Sequence, residues 1–114
     1  MLNVYTQLAT FTTSPVALSF TDGSGNAVTR VQRLIIEPAT GNTHDCFVEA
    51  AGVATGATGA TAGVIRVLAK PPAANAGTLV DMFEMATQCE HAIDTKAFLV
   101  DGTSGEMCRI TVFA

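Results

Sequence analysis

Residues 107–113 read Met107-Cys108-Arg109-Ile110-Thr111-Val112-Phe113. Apolar and polar side chains alternate there with the period of two that a half-buried β-strand requires. Cys108, Ile110 and Val112 are thus predicted to share a core face, with Arg109 and Thr111 pointing the other way. Working back along the chain, Leu34-Ile35-Ile36 breaks the alternation with three apolar residues in a row. Either both faces of that strand meet apolar surroundings, or one face is buried at an interface. Both options make the strand central.

Short segments rich in Val, Ile, Phe and Thr recur between Gly, Pro, Asn and Asp punctuation, and helical spacing is hard to find. The clearest are Val4 to Thr10, Val16 to Phe20, Val31 to Glu37, Cys46 to Ala51, Val64 to Ala69, Leu79 to Met85, Phe98 to Val100 and Met107 to Phe113. Eight short strands of this kind predict an all-β chain: a single-domain antiparallel β-sandwich or jelly roll over residues 1–114. Residues 1–12 are read as an N-terminal strand available to a partner, with pairing inside its own chain as the plainer alternative. Leu2, Val4, Tyr5 and Leu8 are its candidate contacts.

Phe47 and Glu49 oppose Cys46, Val48 and Ala50 on their segment. Phe47 either covers a second apolar layer or is exposed for a partner; the charge on Glu49 favours exposure, which makes Phe47 a further contact candidate. Residues 52–63 read Gly-Val-Ala-Thr-Gly-Ala-Thr-Gly-Ala-Thr-Ala-Gly and carry no charge. This composition predicts a flexible loop between strands, and Thr55, Thr58 and Thr61 would meet a partner if it orders on contact.

Turn chemistry separates the segments. Asp22 to Asn26 and Asp101 to Gly105 supply residues that tolerate positive φ, and the second run is predicted to close a hairpin between the last two strands. Pro38 and the pair Pro71-Pro72 mark exits from strands, because proline has no amide hydrogen for a ladder.

Charge excludes one large class. Six basic residues are scattered singly among ten acidic ones, for a net charge of −4, and a phosphate backbone is held by clustered Lys and Arg. No nucleic-acid partner is expected. The chain also lacks the apolar run of roughly 18 residues that spans a bilayer and the pattern of a secretion signal, so it reads as soluble, cytoplasmically made and without a membrane partner. Three cysteines, Cys46, Cys89 and Cys108, without framework spacing predict reduced thiols and no intramolecular disulfide. Few aromatics leave a core of small residues, for which oligomerisation is a reasonable source of extra stability.

Chemistry-bearing arrangements are sparse. His44 with Cys46 and Cys89 with His91 would each share a strand face and together supply four zinc ligands, but their spacing matches no standard structural zinc motif. Asp22, Ser24 and Asn26 imitate the opening of a calcium loop, yet Arg33 stands where the bidentate Glu belongs. Asp81, Glu84, Asp94 and Asp101 are carboxylates without a motif that pairs them, and no nucleophile with a base and an orienting group is visible. Catalytic residues, metal and cofactor are all expected to be none.

From Val31 onward the layout resembles small structural proteins of tailed-phage virions, the capsid decoration or cement proteins. The residues that carry this are Arg33-Leu34-Ile35-Ile36-Glu37 leading into Gly41-Asn42-Thr43, the strand Cys46-Phe47-Val48, and the ending Phe98 to Glu106 that turns into Met107 to Val112. Glu49 and Pro71-Pro72 depart from that layout. The resemblance implies a β-sandwich without catalytic residues, a homo-oligomer with the trimer favoured, and the major capsid protein as partner. It places the chain on the capsid surface of a virion, bridging neighbouring capsid subunits. The alternative function is a receptor- or carbohydrate-binding module of a phage tail or spike, using the loops around Asp22, Thr43 and Asp101.

Overall fold

The computed structural model describes residues 3–52, 63–72, 81–87 and 92–114. Ten strands are present among them: β1 (Val4–Thr10), β2 (Val16–Ala17), β3 (Arg30–Val31), β4 (Arg33–Pro38), β5 (Cys46–Ala50), β6 (Val64–Leu68), β7 (Phe83–Ala86), β8 (Ile93–Asp94), β9 (Phe98–Asp101) and β10 (Met107–Phe113). All pairings are antiparallel, and they nest: β1 with β10, β2 with β9, β3 with β8, β4 with β7, β5 with β6. The chain is in effect one long hairpin, with its tip between β5 and β6, rolled up on itself. Rolling adds the pairings of β10 with β4 and β9 with β5. The result is two four-stranded sheets, β1-β10-β4-β7 and β2-β9-β5-β6, with β3-β8 as a short third ladder. That order is a jelly-roll sandwich.

Alternation fixes which side chains fill it. In the first sheet Leu34, Ile36, Cys108, Ile110 and Val112 point inward and are each 0% exposed. They face Cys46, Val48, Leu68, Phe98 and Val100 from the second sheet, and the Phe83 and Phe98 rings meet across the gap at 6.1 Å between centroids. The core face expected for β10 and the interior position of β4 are therefore present.

Other expectations are corrected. Asp101 to Gly105 does not close a hairpin, because β9 belongs to the second sheet and β10 to the first. The turn instead carries the chain across the sandwich, and Phe11 wedges it there. Phe11 is 1% exposed, its N–H donates to the Glu106 carbonyl at 2.8 Å, and its carbonyl accepts from the Gly105 N–H at 3.0 Å. Asp-Gly chemistry specifies a turn; it cannot specify which sheet receives the next strand. The segment read as Val31 to Glu37 is broken at Gln32: its carbonyl continues the β4–β7 register by accepting from the Thr87 N–H at 2.9 Å, while its N–H turns to the other side and donates to the Phe113 carbonyl at 2.7 Å. Val16 to Phe20 is strand only at Val16–Ala17, although Leu18 and Phe20 still reach the core. Pro38 is the last residue of β4, so the expected exit begins one residue later. Of the segment Leu79 to Met85, residues 79 and 80 lie outside the described residues, and the strand there is Phe83–Ala86.

The Phe11 wedge depends on a missing side chain. A Cβ on Gly102 would lie 2.6 Å from two carbons of the Phe11 ring. Gly102→Ala is expected to lower stability by about 1–3 kcal/mol through overpacking. Gly23, around which a Cβ meets nothing within 4 Å, is the control, and Gly23→Ala should change stability by less than about 0.5 kcal/mol. Urea unfolding followed by circular dichroism measures both.

Candidate functional site

An exposed strand edge is a row of unpaired N–H and C=O groups, and the two sheets present four: β1, β7, β2 and β6. Three of these are blunted. β2 has only two residues, β7 has four and carries Glu84 in an ion pair with Arg33 at 2.8 Å, and β6 carries Arg66 and a bulge. The bulge falls where Val48 pairs with Arg66 and Glu49 with Val64, which leaves Ile65 without a partner on β5.

β1 has none of these features. Its seven residues, Val-Tyr-Thr-Gln-Leu-Ala-Thr, hold no charge, no proline and no bulge. Hydrogen-bond parity defines what its free edge offers. Asn3 and Ala114 exchange both backbone bonds at 2.8 Å, so the alternate residues Tyr5, Gln7 and Ala9 bond inward to Val112, Ile110 and Cys108. Val4, Thr6, Leu8 and Thr10 therefore aim their N–H and C=O groups away from the sheet. The same four residues turn their side chains to the outer face, where Val4 is 55% and Leu8 60% exposed. Ile35, Thr111 and Phe113 continue this face inland, half-buried, with the Arg33 guanidinium 5.3 Å above the Phe113 ring.

A fixed loop borders this surface. The Asn42 side chain is buried and imitates a strand: its Nδ2 donates to the Met107 carbonyl at 2.7 Å and its Oδ1 accepts from the Met107 N–H at 3.1 Å. Next to it Glu106 Oε2 accepts from the Thr43 N–H at 2.7 Å and hydroxyl at 2.8 Å, and Oε1 from the His44 N–H at 3.1 Å. A groove of about 280 Å³ lies between this loop and the sheet, lined by Leu8, Pro38, Thr40, Met107 and Arg109 among others.

The candidates of the sequence distribute unevenly. Val4 and Leu8 lie on this surface, whereas Tyr5 turns inward and packs against the core, because it sits on the opposite parity from Val4. β1 pairs with β10 of its own chain along its full length, so it is a template for an added strand and is not itself released. Phe47 is half-buried on the outer face of the second sheet. Leu2, Thr55, Thr58, Thr61, Cys89 and His91 lie outside the described residues.

The expectation of exposure for Glu49 is overturned. Glu49 is 0% exposed, and beside it Asp101 is 7% exposed. A charged residue in an alternating strand signals solvent only if nothing packs on that face, and here that face is covered.

The remaining polar candidates are occupied with structure. Cys46 and Cys108 are free and buried, and burial pushes both thiols up to about 12. His44 is exposed, 3.0 Å from the Thr43 hydroxyl and 3.5 Å from Glu106, on a side chain separated by burial from Cys46. Asp22 Oδ1 accepts from the Ser24 and Asn26 N–H groups at 2.8 and 2.9 Å and so builds its own turn. Asp94 caps a single 3₁₀ turn at Thr95–Ala97 by accepting from the Lys96 N–H. Asp81 clasps the two sheets at their β6–β7 ends, accepting from Arg66 at 2.6 Å, from the Ala69 N–H at 3.1 Å and from the Met82 N–H at 2.9 Å. Protein-family models, curated proteins and solved structures were all compared with this chain, and none matches.

Two of these carboxylates set the acid limit of the fold. Backbone hydrogen bonding from Ala69 holds Asp81 below the ordinary 3.8, helped by Arg66, and that from Thr43 holds Glu106 below the ordinary 4.5. The folded state thus binds fewer protons than the unfolded chain in acid, so their contribution is complete above those ordinary values and is lost as pH falls through the lowered ones. Thermal melts from about pH 5 down to about pH 2 should show a falling midpoint. Glu106→Gln should flatten part of that fall.

Proposed function

We propose that this chain is a capsid decoration, or cement, protein: a non-enzymatic jelly-roll domain that acts as a homo-oligomer, with the trimer favoured. On this reading it binds the major capsid protein on the outer surface of a virion and bridges neighbouring capsid subunits. The observation that carries the reading is the β1 edge, seven residues without charge, proline or bulge, whose outward residues include the exposed Val4 and Leu8. Natural sheets blunt an edge of that length unless something pairs with it, and main-chain pairing with alternating side-chain contacts is a standard mode of protein docking.

Jelly-roll sandwiches serve both virion shells and lectins, so the fold alone leaves the class open. The loops favour assembly. Asp22 is spent on its own turn, Asp101 is buried, and Thr43 is held by Glu106. The groove beside Thr43, lined by Thr40, Gly41, Asn42, Lys70, Pro71 and Pro72, has no aromatic ring on which a sugar would stack. A cement protein needs instead a stiff scaffold and a surface that joins neutral backbone to neutral backbone.

The test uses parity. The N–H of Thr6 points away from β10, so Thr6→Pro removes no bond of the sheet while blocking an added strand. Leu8→Lys places a charge on the same surface. Light scattering of the unaltered chain should give an oligomer, and the chain should co-sediment with shells of the major capsid protein of the same virion. Each variant should keep its circular dichroism spectrum and lose shell binding at least about tenfold. A monomer at all concentrations that fails to bind shells would remove the proposal.

A further inference from the structure

Glu49 lies in the middle of β5, between β6 and β9. On β9 its register partner is Leu99, while Asp101 pairs with Phe47. Glu49 and Asp101 are thus diagonal neighbours on one face of the second sheet, near enough for their side chains to meet. Both are buried, at 0% and 7% exposure. Neither carboxyl oxygen of Glu49 has a hydrogen-bond partner of good geometry, and Asp101 spends Oδ1 on the Gly102 N–H at 2.9 Å.

A buried carboxylate is normally paired with a cation or saturated by donors. No such partner faces this one among the described residues. From β6 come Val64 and Ile65, which are apolar, while Arg66 pairs with Val48, a position of the opposite face, and is bound to Asp81. From β2 come Val16 and Ala17. On β5 itself the neighbours are Val48 and Ala50, and the next charge, Asp45, donates nothing and accepts from the Lys70 N–H. Lys96 is exposed on its 3₁₀ turn. Asp101 is the one titratable group that meets Glu49 from β9, and it carries the same charge.

We propose that Glu49 and Asp101 form a one-proton lock that holds β5 against β9 while the pair retains a proton and loosens this face when the proton leaves to solvent. In the held state the Glu49 O–H donates to the Asp101 carboxylate, which satisfies a donor and an acceptor at once and leaves one negative charge. In the released state two carboxylates face each other in a covered site. The function this gives the fold is a sensor of mild acidity, distinct from its docking edge.

The direction follows from linkage. Burial first, and the Asp101 charge second, push Glu49 up to about 7 from its ordinary 4.5. The folded state then binds more protons than the unfolded chain between those values, so the lock stabilises fully below 4.5 and its contribution is lost as pH rises through about 7. This is the opposite sense to Asp81 and Glu106.

A carbon-detected carboxyl titration of the full chain should place the Glu49 midpoint near 7; a midpoint below about 5 overturns the lock. The melting temperature should fall by on the order of 10 °C between about pH 5 and about pH 8. Glu49→Gln, which imitates the protonated state, should abolish most of that fall, and an equal fall in both proteins refutes the proposal. Asp101→Asn should lower the Glu49 midpoint by about one unit or more, and an unmoved midpoint again refutes it. If millimolar calcium chloride raises the melting temperature at about pH 8 in the unaltered chain alone, the pair is a cation site and the lock is wrong.

Discussion

The pairing of β1 with β10 is the interaction on which the rest of this structure rests. β10 lies between β1 and β4, and its inward residues Cys108, Ile110 and Val112 are wholly buried. Without β10 the first sheet has no centre, and without the first sheet the apolar face of β5 and β9 has nothing to cover it. Contacts between such distant parts of a chain require loop closure before they return any stabilisation. The nested order softens that cost, because each closed pair brings the next outer pair within reach.

The strongest local signals in the sequence correspond to the most regular parts of the fold. Alternation over Met107 to Phe113 and the apolar run Leu34 to Ile36 mark the two inner strands of the first sheet, where side-chain period and burial agree. β3 and β8 have two residues each, too short to show a period. The passage from β9 to β10 was hidden for a different reason. Asp101 to Gly105 has the residues of a tight hairpin, and only Phe11, from the far end of the chain, decides that the strands part. Tyr5 was legible in principle, since it alternates with Val4 and shares its parity with the small, buried Ala9. Glu49 was not, because alternation assigns a side chain to a face and says nothing of whether that face is covered.

Charge is distributed by task in this molecule. Asp81 and Glu106 bind backbone N–H groups at the margins of the sandwich and lock connections in place. Arg33 and Glu84 close the side of the outer face opposite β1. β1 itself is left neutral although the exposed Arg109 is the register partner of Leu8 on β10, so the edge strand offers uncharged side chains while the opposite margin carries the Arg33–Glu84 pair. With the proposed Glu49–Asp101 lock, stability would be bounded on two sides, by carboxylates favoured ionised and by one carboxyl favoured protonated.

The tip of the rolled hairpin has a practical consequence. The chain between Ala50 and Val64 joins the innermost pair, β5 and β6, and every other described pairing is made by residues outside it. Lengthening that connection alters no register, and the entropic cost of a longer loop grows only with the logarithm of its length. Because the neighbouring Gly52 and Gly63 both take positive φ, a foreign peptide grafted between them would leave the strands through turns already suited to reversal. That makes Gly52 and Gly63, both exposed, natural junctions for a chain inserted into this scaffold.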